Sequence, residues 1–177
     1  YLDYSPVYAM HVAIASSLGI ICFTSISSIR SHLKLGNVNR SILKRWVPGI
    51  VLGSILGSYC ASIISGKILV NIFIFLAFLI ALNMAFQRDP IILSKDLPKS
   101  KLINLILSSL IGFLSVLIGI GGGSFSVPSL TMFSKKIHEA VGTSATLGFF
   151  IACPGVIILM ISGSSINDLP PFSIGYL

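Results

Sequence analysis

Of the 177 residues, 54% are hydrophobic and only 10% are charged, with a mean hydropathy of +0.97; an ordinary soluble domain carries roughly 25% charged residues, so water is excluded as the main solvent. Lys and Arg number 12 against 5 Asp and Glu, a net charge of +7. The cations cluster in short loops between apolar runs, as topogenic charges do, which argues against a nucleic-acid partner. A membrane helix takes about 20 residues plus its loop, and the length suits five or six membrane segments in a single transmembrane domain, 1–177.

The opening residues, 1–6, hold neither an initiator Met nor a basic region, and no signal peptide is read there. The first apolar run covers 7–29 and carries His11-Val12-Ala13-Ile14-Ala15-Ser16-Ser17 near its head. A loop with Arg30, Lys34, Arg40, Lys44 and Arg45 follows, then a second run over 46–64. Gly49, Gly53 and Gly57 in that run fit the small-xxx-small pattern of close helix packing, and Trp46 at its head is expected as an interfacial anchor. Ser65, Gly66 and Lys67 make a short turn before a third run, 68–86, and a second basic loop holds Arg88, Lys95, Lys99 and Lys101. An excess of Lys and Arg marks cytoplasmic loops. Both basic loops are therefore expected inside, the turn at 65–67 outside, and the first run directed inward.

The fourth run, 102–120, ends in Gly119-Ile120-Gly121-Gly122-Gly123-Ser124, with Val127-Pro128 just beyond. Each glycine costs about 1 kcal/mol in a helix interior and proline about 3; the helix is expected to break here. A broken helix in lipid needs its freed backbone groups to face protein or a water-filled cavity. The apolar run after the break, 125–133, is too short to cross and is expected as a half-helix in a re-entrant segment. A fifth spanning run, 140–161, begins just after His138 and Glu139. Cys22, Cys60 and Cys153 all fall inside apolar runs, with no CxxC, and are expected as packing residues.

A helix that starts at membrane depth presents free amide N–H groups and the positive end of its dipole, a setting for an anion. Gly121, Gly122, Gly123 and Ser124 are the candidate substrate-binding residues, joined by Thr143 and Ser144 near the start of the next helix. The two helix starts are expected to converge. His11 and His138 stand at the heads of two spans and are candidates for proton coupling, with hydrogen-bonded helix anchors as the alternative. Glu139 is expected as a charge at a helix N-terminus, and Lys135 and Lys136 as solvated loop charges. Catalysis finds no support: no Ser, His and acid set shares one layer, no carboxylates pair and no metal cluster occurs. An enzyme is not expected, nor a cofactor.

The chain also repeats itself. His11 to Ser17 aligns with His138-Glu139-Ala140-Val141-Gly142-Thr143-Ser144 in the pattern H-x-A-[VI]-[AG]-[ST]-S, and the same offset brings Gly36 onto Gly163. Ser16 and Ser17 thereby become the mirror of Thr143 and Ser144 in the candidate site. The division is 7–101 for the remainder of a first repeat and 102–177 for the start of a second. Counting 102–133 as one crossing makes the two parallel, and counting it as a hairpin makes them inverted.

The GIGGGSFSVPSL run followed by HEAVGTSA resembles the sulfite exporter TauE/SafE family of bacterial membrane transporters, and Ser173-Ile174-Gly175-Tyr176-Leu177 is similar to a later segment of that family. The resemblance implies an all-α polytopic bundle of about eight helices in two related halves, of which about one and a half repeats are present, the glycine-rich break expected ahead of His11 being absent. It implies a location in the bacterial inner membrane and transport of small anions such as sulfite or sulfonates by alternating access, without an organic cofactor. The expected partners are a small anionic solute, the lipid bilayer and a second copy of the chain. A non-transporting accessory subunit, or a decayed transporter fragment, is the alternative.

Overall fold

The computed structural model describes residues 6–86, 92–94, 96–164, 166, 169 and 173–177; Arg88 and Lys95 of the second basic loop lie outside them. The described residues form helices and no strand. A 3-10 turn, Pro6–Tyr8, leads into α1, Ala9–Lys34, and the rest follow as α2, Arg40–Ile63; α3, Gly66–Phe86; α4, Lys101–Ile118; α5, Gly123–Met132; and α6, Ile137–Gly163. Five of them, all but α5, are long and apolar enough to cross a membrane. The boundaries follow local chemistry. Asn39 caps α2 by accepting from the amides of Ser41 (2.9 Å) and Ile42 (3.1 Å), and Gly36, at φ +69, makes the turn out of α1.

The tightest packing is between α2 and α4, which run parallel. Gly49 lies against Leu105 and Ser108, Gly53 against the Ser109 backbone and Gly57 against Phe113, while Gly112 of α4 returns the contact on the Ile50 backbone. Only hydrogen side chains admit this approach, so the glycine pattern is a packing device as expected. Trp46 departs from expectation. It is fully buried between these two helices and donates from Nε1 to Asn104 Oδ1 (3.1 Å), so it closes a buried polar pair and does not anchor the chain to the lipid interface.

Against this pair lie α1 and α6, which run antiparallel: Asn37 meets Gly142, Cys22 Sγ lies 3.6 Å from Cys153 Sγ, and Leu18 meets Gly155. The cysteines are partly buried free thiols. One face of α3 packs on the bundle through Leu69 and Leu76, while Phe73, Ile74, Phe75 and Phe78 remain exposed, as lipid-facing side chains are.

One end of the bundle gathers nearly all the described cations. There the α2 N-terminus meets the start of α6, with the Asn39 amide donating to Thr143 Oγ1 (3.0 Å) and the Asn39 side chain to Glu139. Lys101 begins α4 at the same end, and Lys135 reaches Asp96 at 3.5 Å. Among the described residues, Lys67 at the start of α3 is the one cation at the opposite end.

The chain from α4 to α5 both leaves and returns to the basic end. It departs at Lys101; after α5, the Met132 carbonyl accepts from the Leu93 amide (2.9 Å), and Ser134 Oγ donates to the Ser94 carbonyl (3.1 Å). Its far end abuts α1 at Ile14, within 3.1 Å of where a Gly119 Cβ would stand. An 18-residue α4 of about 27 Å thus nearly crosses the bundle, and a 10-residue α5 of about 15 Å comes back part of the way.

Candidate functional site

Between the two arms the helix is broken. Gly119 ends α4 in the left-handed region at φ +70, and the Ile120 amide returns to the Ser115 carbonyl (3.0 Å), which satisfies the last turn. α5 resumes at Gly123, its Gly122 carbonyl accepting from Ser126 N (2.8 Å), and no side chain caps its first amides. The break is not in bulk solvent: Gly119 and Gly122 are buried, and Gly121, Gly123 and Ser124 are half-buried. Gly121 lies against Ile21, and Gly122 against Ile151 and Gly148. These are residues from the middle turns of α1 and α6, so the amide-rich start of α5 stands about half-way along two spans.

A cavity of about 280 Å³ opens here, lined by Ile21, Thr24, Ser25 and Ser28 of α1, by Gly121, Gly122 and Gly123, and by Ser144, Ala145 and Gly148 of α6. Its polar wall consists of hydroxyls and backbone, with no ionisable side chain among the lining residues. Thr24 Oγ1 donates to the Ile20 carbonyl (3.0 Å) and Ser25 Oγ to the Cys22 carbonyl (3.1 Å), local bonds that a hydroxyl exchanges by rotating. Ser144 is 2% exposed, and its hydroxyl has no partner among the described atoms; Ser126, fully buried below Gly122, is in the same condition. What this arrangement can do is offer neutral N–H and O–H donors to a small anion where the dielectric is low.

The expected site residues divide. Gly121, Gly122, Gly123 and Ser144 come together around the cavity. Ser124 faces the other side of α5, in an apolar groove of about 680 Å³ beside Leu79 and Asn83. Thr143 Oγ1 is occupied by the Asn39 amide. Ser17 Oγ donates to the Gly119 carbonyl (2.7 Å), clamping the end of α4, and Ser16 is half-buried on α1 outside the cavity lining. The two helix starts do not converge, because the whole of α5 separates them: one is beside Ile21, the other beside Asn37 at the basic end. His11 is buried, with Nε2 donating to the Ile64 carbonyl (3.0 Å) and its ring stacked on Tyr176 at 4.9 Å. His138 is exposed in a polar groove with Asn37, Arg40 and Glu139. Thr24, Ser25 and Ser28 were not among the expected residues. The signal lay in their spacing, since Ser17, Ile21, Thr24 and Ser28 recur every three or four residues along one face.

The family model of sulfite exporter TauE/SafE matches residues 2–177. The chain belongs to the TauE/SafE family. It is 33% identical over 180 residues to a "Probable membrane transporter protein" of Haemophilus influenzae, covering 99% of this chain and 66% of that relative. A protein of the same description from Methanocaldococcus jannaschii is 33% identical over 93% of this chain and 58% of its own length, and one from Bacillus subtilis is 27% identical over 86% and 62%. The TauE/SafE chain thus spans about two thirds or less of the length of the curated relatives it matches. No solved structure matches it. Family and helices together make this a multi-pass membrane protein whose relatives are described as transporters.

Proposed function

We propose that this TauE/SafE chain forms part of an alternating-access carrier for small anions, sulfur oxyanions of the sulfite and sulfonate class, and that the anion is held at the start of α5. One observation carries the reading: the uncapped amides of Gly121–Gly123 open half-way along α1 and α6 into a cavity walled by hydroxyls. Unpaired backbone groups at such depth cost several kcal/mol each unless a cavity or solute serves them. In this reading α4–α5 is a re-entrant hairpin, and since α1 and α6 run antiparallel the repeat is inverted. Rocking of one repeat against the other would expose the site to each side in turn.

The test uses the full-length Haemophilus influenzae relative in proteoliposomes with radiolabelled sulfite and methanesulfonate. Leucine at the glycine aligned with Gly122 is expected to abolish uptake of both while membrane insertion is retained, because a Cβ there already comes within 2.7 Å of Ile151 Cδ1 and a larger side chain must enter the cavity. Uptake that survives this change removes the site from the start of α5.

A further inference from the structure

Cys22 of α1 and Cys153 of α6 stand 131 residues apart in sequence, yet their Sγ atoms meet at 3.6 Å. Both are partly buried free thiols. The two helices are close at this level. About one turn away, Leu18 Cδ1 lies 3.0 Å from where a Gly155 Cβ would stand, and on the other side Thr24 and Ser25 line the cavity. The sulfurs therefore sit about half-way along both spans, away from the cytoplasmic water in which glutathione and thioredoxin keep thiols reduced. The contact is also one that can shorten. A disulfide bond of roughly 2.05 Å needs an approach of about 1.5 Å from the present contact. Pro154, next to Cys153, has no amide with which to tie its turn to the Phe150 carbonyl, so that part of α6 shifts at lower cost than a fully bonded helix.

We infer that Cys22 and Cys153 form a reversible oxidation site, and that their disulfide staples α1 to α6 at mid-span. The oxidant is of the lipid-soluble quinone class, which shares the depth of the two sulfurs. Two S–H bonds break and one S–S bond forms. Each sulfur gives up one electron, and both electrons, with the two protons, pass to the quinone and leave it as the quinol. A dithiol reopens the bond by thiol–disulfide exchange. Cys60, on α2, takes no part and serves as the internal control. In the carrier reading proposed above, α1 and α6 belong to the two repeats that rock, so the staple would hold the carrier in the arrangement described here. That consequence rests on the carrier reading; the oxidation itself does not.

Two measurements test it. The 177-residue chain in detergent is treated with duroquinone, whose fully methylated ring cannot take up a thiol, and its free thiols are counted with a maleimide. The count should fall from three to one. The intact mass should fall by about 2 Da, the two hydrogens lost, and dithiothreitol should restore both. Cys60→Ser should still lose two thiols on oxidation, and Cys153→Ser none. A count that stays at three, a loss that occurs only through dimers linked between chains, or a loss that persists in Cys153→Ser overturns the proposal. In the second measurement the full-length Haemophilus influenzae relative carries cysteines at the positions aligned with Cys22 and Cys153 in a cysteine-free background. Methanesulfonate is the probe, because sulfite itself cleaves disulfides. Oxidation should stop its uptake and reduction should restore it; undiminished uptake by the oxidised form overturns the staple. A relative that takes up methanesulfonate in neither state removes the carrier reading, while the thiol count still decides the oxidation site.

Discussion

Trp46 and Asn104 make a hydrogen-bonded pair 58 residues apart in sequence, in which Asn104 Oδ1 accepts from the indole while its amide nitrogen donates to the Pro98 and Ser100 carbonyls. Replacing Trp46 by Phe keeps most of the ring volume and removes the donor; the expected cost is about 1–3 kcal/mol, the penalty for a buried acceptor left unpaired, read as a fall in the thermal midpoint, and Asn104→Leu in the same background should deepen it, because the Asn104 amide also donates to the Pro98 and Ser100 carbonyls. Trp46 could not be placed from sequence. A Trp at the head of a span is usually interfacial, and only the parallel packing of α2 on α4 buries this one. Asp96 illustrates the opposite case: its carboxylate is 86% exposed in its pair with Lys135, and Asp96→Ala should change stability by less than about 1 kcal/mol in the same assay. His11 was legible as special but not as to its task, because Ile64 and Tyr176, which hold its ring, come from distant parts of the chain.

Helices were the most legible level, since continuous apolar runs bounded by cations or glycine leave few alternatives in lipid. The break at Gly119–Gly122 was legible for the same reason that it forms, a density of glycine that no helix interior tolerates cheaply. What sequence could not supply was the direction in which α5 resumes, and hence the separation of its start from that of α6. Glycines that look alike in sequence also differ in consequence. A Cβ at Gly53 would run into the Ser109 backbone, which cannot rotate away, whereas a Cβ at Gly123 meets nothing within 4 Å. Gly53→Ala is therefore expected to cost about 1–3 kcal/mol through overpacking and to reduce the folded yield in detergent; Gly123→Ala should leave that yield intact.

Across the whole molecule, the charges at the two ends decide orientation. With Arg40, Lys101 and Lys136 at one end and Lys67 at the other, a membrane-impermeant thiol reagent should label Arg40→Cys and Ser134→Cys from the same side in cells, and Lys67→Cys from the opposite side. Labelling of Ser134→Cys together with Lys67→Cys would make α4–α5 a full crossing and overturn the re-entrant, inverted-repeat reading proposed above. The ambiguity over 102–133 arose because the run carries no charge of its own.

The mid-span position of Gly122 also has an electrical meaning. Carrying one elementary charge across the full membrane potential is worth about 2.3 kcal/mol per 100 mV, so a monoanion seated beside Gly122 would have traversed roughly half of that drop. In a cell with a negative interior, filling the site from the cytoplasm would be assisted by about 1 kcal/mol per 100 mV and filling it from outside opposed to the same degree. Polarisation alone would then bias such a carrier toward expulsion, without any side chain gaining or losing a proton.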